Sequence, residues 1–356
     1  MKVLFQIRSG FQSGAAGDSI QMQKTMIHLK ELGVEGSVSS QLNANLKDFD
    51  LVHIFNCTRV PEAYGFYKNA ANQKKKIVVS PIFIDMHFYY KDSPERLAAW
   101  RAENIHRREI LQGSNMLLPN SQKELEWIQN ILFVSTPAKI VPLGVDSLFF
   151  QGDPEWFVKK YGLKDFILCV GRLSPIKNQL SLIRAVKDLS LPLVLIGSVN
   201  NKAYALKCAG EPGGSIKYIP SLSHEELSSA YRAAKVHVQP SWFETVGLAS
   251  LEAAASGTPV VITNQGAAQE YFEDKAEYVD PGDLNSIRGG ILAALEKRSE
   301  KGTTEGNGIS SLQSRIKENF IWEKAAQATL EAYEQVLSDN SGPVRQGTLY
   351  SQSYPL

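Results

Sequence analysis

Cysteine is scarce in this chain of 356 residues: only Cys57, Cys169 and Cys208, odd in number, far apart and set inside apolar runs. They supply neither a disulfide framework nor zinc-ligand spacing, so reduced core thiols are expected. Long apolar stretches are lacking too. None approaches the roughly 20 residues of a membrane-spanning helix, and no basic-then-apolar leader precedes Lys2-Val3-Leu4-Phe5, which already reads as a strand. The expectation is a cytoplasmic protein that touches the inner face of a membrane at most. Nor is there charge of one sign. Residues 1–148 hold 17 Lys and Arg against 14 Asp and Glu, a formal +3, which leaves −2 for the remainder of a chain whose net charge is +1. Neither half has the basic field that nucleic acid requires.

What is present is a rhythm of short apolar runs separated by longer amphipathic ones. Val3 to Ile7, Leu51 to Phe55, Ile77 to Ile82, Met116 to Leu118 and Ile140 to Val141 read as strands of one doubly wound parallel α/β sheet. The rhythm restarts at Phe166 to Val170 and continues through Leu193 to Ile196, Ile216 to Ile219, Val236 to Val238 and Pro259 to Ile262. The length also exceeds what one core usually supports. Two tandem domains follow, residues 1–148 and 149–321, with the boundary near Pro142-Leu143-Gly144-Val145-Asp146. Apolar spacing predicts a last helix over 322–337, and the Ser-, Gln-, Gly- and Pro-rich stretch 338–356 is expected to be loosely ordered.

Chemistry concentrates in two places. Directly after the run Val236 to Val238 comes Pro240-Ser241-Trp242-Phe243-Glu244-Thr245-Val246-Gly247-Leu248-Ala249-Ser250-Leu251-Glu252-Ala253. Gly247 lets backbone approach a ligand, and a helix starting near Leu248 offers free N–H groups and a positive dipole end to a diphosphate. Glu252, about 7 Å further along, suits a ribose diol. Each acid alone has an ordinary use at a helix end or on a solvated face, but Glu252 stands in an apolar run where an unpaired charge is costly. The second place is Val170-Gly171-Arg172 with Lys177 five residues on. Those two cations stand at the carboxyl end of a strand, where they can converge on a diphosphate.

Together these stretches, with Ser256-Gly257-Thr258-Pro259 and Asn264-Gln265-Gly266-Ala267-Ala268-Gln269-Glu270, resemble the retaining glycosyltransferases of the GT-B fold, family four within glycosyl transferases group 1. The resemblance spans nearly all of residues 1–337, tightly in the second half and loosely in the first. It implies two Rossmann-like domains facing each other across a cleft, a nucleotide-sugar donor held mainly by the second, and a glycan, glycolipid or small hydroxyl acceptor on the side of the first. By it Glu244 lies near the donor sugar, Glu252 binds the ribose, and Arg172 and Lys177 neutralise the diphosphate with the amides of Thr245, Val246, Gly247 and Leu248. It implies a hexosyl transfer with retention and without a metal or other cofactor. A non-catalytic nucleotide-sugar-binding subunit and a sugar-nucleotide epimerase share the pattern.

In the first domain Ser9-Gly10-Phe11-Gln12-Ser13-Gly14-Ala15-Ala16-Gly17-Asp18 lacks the dinucleotide-binding glycine spacing, and no acid closes the second strand, so NAD is disfavoured. Gly17 is the closest match to the family's glycine loop. Many relatives carry a His directly after the strand at Ile77 to Ile82; here His87 falls a few residues late and is read as an acceptor-side residue or as a loop or helix-start residue, with acceptor activation then resting on Asp85 or backbone groups. Asp48-Phe49-Asp50 spells a metal-binding pattern but precedes a strand, at the wrong sheet edge for a ligand. Lys74-Lys75-Lys76 and Arg107-Arg108 are read as solvated cations or lipid contacts. Phe88-Tyr89-Tyr90 and Trp100 are read as core or as an acceptor platform.

Overall fold

In the computed structural model residues 1–12, 16–301 and 311–339 are described. Ser13, Gly14 and Ala15 of the glycine-rich loop, and all of the expected loose tail beyond Asp339, lie outside the described residues.

The first sheet contains β1 (Lys2–Gln6), β2 (Glu35–Ser39), β3 (Leu51–Phe55), β4 (Lys76–Ser80) and β5 (Met116–Leu117), in the spatial order β2-β1-β3-β4-β5. The second contains β6 (Ile167–Val170), β7 (Leu193–Ile196), β8 (Ile216–Ile219), β9 (Val236–Gln239), β10 (Val260–Thr263) and β11 (Glu277–Val279), ordered β11-β10-β9-β6-β7-β8. Every pairing is parallel. Continuous apolar runs dictate this: β3 (LVHIF) and β7 (LVLI) are buried at every position, as strands covered by helices on both faces must be. The edges β2 and β8 are largely exposed instead.

Strand order reverses between β1 and β3 in one sheet and between β6 and β9 in the other. A parallel sheet opens a crevice at the carboxyl ends of the strands flanking such a reversal. Residues 8–12 follow β1, Gly171-Arg172 follows β6 and the Glu244 segment follows β9, so the fold sends these described residues to the two strand ends.

One expected strand does not form. Ile140 and Val141 run beside the end of β5, where Leu117 bridges Ala138 and the Val141 N–H donates to Pro119 O at 2.9 Å. Pro119, Pro137 and Pro142 lack the N–H groups a regular ladder needs. The sixth strand of the second sheet, β11, carried no sequence expectation.

The helix Trp322–Ser338 packs against the first domain's helix Gly17–Glu31. Its buried face includes Ala325, Ala326, Thr329, Tyr333 and Val336. The Tyr333 hydroxyl lies 2.6 Å from Nδ1 of the buried His53, whose Nε2 is 2.9 Å from Ser80 Oγ. Two further ties cross between the sheets. Tyr271 donates its hydroxyl to Asn120 O and accepts Leu143 N–H, and the Glu270 carboxylate accepts the N–H groups of Gln122 and Lys123 at the start of helix Gln122–Leu132.

Several residues read as candidate metal or lipid contacts have structural uses. Asp50 accepts the Lys2 N–H, Lys75 Nζ donates to Phe49 O and Lys76 Nζ to Asp339 O. Arg107 is buried over Trp100 and donates to Trp100 O and Asn104. Cys57, Cys169 and Cys208 are buried and free, and burial pushes the first two thiols up to about 12. Among the described residues no helix is long and apolar enough to cross a membrane.

Candidate functional site

The β6–β9 crevice is built by two loops knitted together. Beyond β6 the chain turns through Pro175–Lys177 and places Asn178 at φ 57. The buried Asn178 side chain then donates to Pro240 O at 3.0 Å and Pro281 O at 2.8 Å, while Trp242 N–H donates to Ile176 O. These bonds fasten the loop bearing Lys177 to the segment bearing Glu244. Lys177 Nζ reaches Glu244 Oε1 at 2.5 Å, and Ser241 donates to the same oxygen at 2.6 Å. Gln239 in turn donates to Ser241 Oγ. The acid is 7% exposed, so its charge is balanced by the ammonium and one hydroxyl rather than by water. Ser241, Asn178 and Gln239 carried no sequence expectation.

Glu244 is held from the other side by the loop after β10. Its N–H donates to Gln265 O at 3.0 Å, and it forms an isolated parallel bridge with Gly266. A Cβ on Gly266, at φ 134, would stand 1.8 Å from Glu244 O, so only glycine permits this approach. Thr245 O accepts the Ala267 N–H, and Val246 buries its side chain completely, so Val246 presents only backbone.

Gly247, at φ 91, is the N-cap of helix Leu248–Ala255, with no side-chain cap. Ser250 N–H already donates to Gly247 O, so the N–H groups of Leu248 and Ala249 are the ones left to an anion. Leu248 lies next to the first domain: a Cβ on Gly17 would be 3.9 Å from its side chain. Glu252, one turn on, accepts the Tyr231 hydroxyl at 2.9 Å. Burial pushes its carboxyl up to about 8, outweighing that hydrogen bond, with Asp146 adding to the rise and Lys24 opposing it. Lys24, from the first domain, pairs with Asp146 at 2.7 Å.

Glu244, Lys177, Gly247 and the helix of Glu252 therefore share one crevice. Arg172 stands at the same strand end but is exposed, and its guanidinium makes no hydrogen bond or ion pair with described residues. His87 and Asp85 pair with each other, Nδ1 to Oδ1 2.5 Å, on the loop after β4. That loop is anchored by Glu124, a buried acid that carried no expectation. It accepts the N–H groups of Phe83 and Asn120 at 2.8 and 2.7 Å, and burial pushes its carboxyl up to about 7. In the β1–β3 crevice Asp18 accepts from Arg8 and Asn56; burial would raise its carboxyl, but those bonds hold it below the usual range. Among the described residues no group of three or more His, Cys, Asp or Glu is placed to hold a metal ion.

Residues 155–309 match the family model described as glycosyl transferases group 1. The O-antigen chain mannosyltransferase B of Escherichia coli is 30% identical over 188 residues, 50% of this chain and 48% of that protein. A D-inositol 3-phosphate glycosyltransferase of Mycobacteroides abscessus is 26% identical over 268 residues, 69% of this chain and 58% of that protein. The match thus spans roughly half of the length of these relatives. Among solved structures, sucrose-phosphate synthase from Thermosynechococcus elongatus superposes with a TM-score of 0.80 at 17% identity, over 94% of this chain and 99% of that one. Anabaena HepE in complex with UDP and glucose gives 0.73 at 17% identity, over 94% and 100%. Two parallel-sheet α/β domains with these neighbours make this a GT-B fold. The family match and the relatives support the group 1 glycosyltransferase family.

Proposed function

We propose that the chain is a glycosyltransferase that moves a hexose-type sugar from a UDP- or GDP-sugar to a hydroxyl acceptor, with retention of anomeric configuration. The observation that carries this is the Lys177–Glu244 pair beside the uncapped helix that bears Glu252. In this reading a dianionic diphosphate meets an ammonium, open N–H groups and the exposed Arg172, and the Glu252 carboxyl binds the ribose. The relatives named for mannosyl and inositol-phosphate glycosyl transfer, and a fold neighbour solved with UDP-glucose, support the same reading.

In this reading the bond between the anomeric carbon and the diphosphate oxygen breaks while the acceptor oxygen bonds the same face of that carbon. The acceptor proton passes to the departing diphosphate oxygen. Lys177, Arg172 and the amides near Gly247 stabilise the charge that develops on the leaving group, and Glu244 lies nearest the sugar. No covalent nucleophile and no metal are needed, so turnover should survive EDTA. The acceptor belongs to glycan, polysaccharide or glycolipid synthesis and enters from the first domain, with the paired Asp85 and His87 on its side.

The test is nucleotide release from UDP- and GDP-sugars by the wild type and by Glu244→Ala. A variant within about threefold of wild type, less than roughly 0.7 kcal/mol in the barrier, removes Glu244 from the reaction. Donor binding without release indicates a binding subunit instead, and interconversion of the donor sugar an epimerase.

A further inference from the structure

A cavity of about 180 Å³ lies between the loop after β4 and the segments that follow β9 and β10. Phe88 and Tyr89 from the first domain face Trp242 and Phe243 from the second, all half-buried. The rings are tilted rather than stacked flat: Phe88 to Trp242 is 6.2 Å at 44°, Tyr89 to Trp242 6.3 Å at 52°, and Tyr89 to Phe243 5.5 Å at 78°. Asp85, Lys123, Asn264 and Gln265 add a carboxylate, an ammonium and two amides to the same wall. Phe243 precedes Glu244, Gln265 O accepts the Glu244 N–H, and Gly266 lies opposite Glu244 in the isolated bridge. The cavity and the Lys177–Glu244 pair therefore share one thin wall.

We infer that this cavity binds a sugar ring of the acceptor. Aromatic faces favour the apolar C–H face of a pyranose, while neighbouring donors and acceptors satisfy its hydroxyls, a combination that neither a fatty acyl chain nor a purely ionic headgroup uses. The volume admits one ring, not a long apolar tail. Because Glu244 turns its carboxyl towards Ser241 and Lys177 while Phe243 faces the cavity, the ring held here is a neighbour of the reacting unit rather than that unit itself. The acceptor is then a saccharide of at least two units. Phe88 and Tyr89 come from the first domain and Trp242 and Phe243 from the second, so the subsite exists only with the domains apposed. This rests on the transferase reading.

Saturation-transfer NMR on the full chain tests it, with maltose and, separately, myo-inositol 1-phosphate as probes. Maltose should show ring C–H saturation that falls at least fivefold in Tyr89→Ala and in Tyr89→Leu, which keeps bulk without a π face, and that persists in Trp156→Ala, a remote exposed ring. Absence of maltose saturation, its survival in both Tyr89 variants, or saturation of the inositol phosphate alone overturns the saccharide subsite. UDP and GDP titrations run in parallel separate the two claims. Nucleotide binding without maltose saturation sinks the subsite alone, whereas maltose saturation without nucleotide binding sinks the donor reading and leaves the subsite standing.

Discussion

Lys177 and Glu244, 67 residues apart in the chain, meet as an ion pair with Nζ 2.5 Å from Oε1. Their side chains are 24% and 9% exposed, so the pair is screened little by water. The contact joins the two stretches that the sequence singles out and fixes the charge balance of the crevice.

Removing one partner should therefore cost both stability and turnover. Lys177→Ala is expected to lose about 1–3 kcal/mol, because Glu244 is left buried with only Ser241, and to slow nucleotide release about a hundredfold. The double variant Lys177→Met with Glu244→Gln should recover most of the stability and none of the rate. Denaturant midpoints beside initial rates read both. Recovery of the rate in the double variant contradicts the roles given to these residues.

Two glycines should respond in opposite directions. Gly266→Ala places a Cβ against Glu244 O at a strained φ and is expected to cost more than about 3 kcal/mol or prevent folding. Gly289 lies exposed in helix Leu284–Lys301 with nothing within 4 Å of an added Cβ, so Gly289→Ala should stabilise by about 0.5–1 kcal/mol. Thermal unfolding of the two variants decides, and similar shifts in both would refute the local geometry.

Buried titrating groups set the pH dependence of stability. Burial pushes the His53 and His237 rings from 6.5 down to about 3, and the Glu124 and Glu252 carboxyls from 4.5 up to about 7 and about 8. The rings stay neutral in the folded chain while the unfolded chain takes up protons, so each destabilises as pH falls from 6.5. The acids keep protons that the unfolded chain loses, so each destabilises as pH rises from 4.5. Each contributes about 1.4 kcal/mol per pH unit within its window. Stability should rise from pH 8 to 6.5, stay level to 4.5 where two acids offset two rings, and fall below that as Asp18 also loses its ion pair. Urea midpoints across this range check it, and Glu252→Gln should abolish the change between pH 8 and 7. A steady decline starting at 6.5 would contradict the balance.

Much of this was legible in the sequence because apolar runs and turn residues act locally. The alternation of strands located the sheets, and the motifs bearing Lys177 and Gly247 follow β6 and β9, the two strands that flank the reversal of the second sheet. Ile140 to Val141 misled because β-branched content says nothing about the proline-flanked ladder that must receive it. Asn178 and Glu124 were missed because their roles are hydrogen bonds to distant backbone, which no spacing encodes, and Ser241 because its bond to the Glu244 carboxylate three residues on depends on how the turn folds. Glu124 carried one signal, a Ser121 three residues before it that caps its helix, but that pattern reports the cap and not the loop the carboxylate anchors.

The central claim is that the β6–β9 crevice holds a nucleoside diphosphate, and isothermal titration with UDP, GDP and ADP tests it most directly. One of the three should bind the wild type, and Lys177→Ala and Glu252→Ala should each weaken that binding by about tenfold or more, roughly 1.4 kcal/mol. Binding of none of them, or binding that neither substitution changes, would contradict the account.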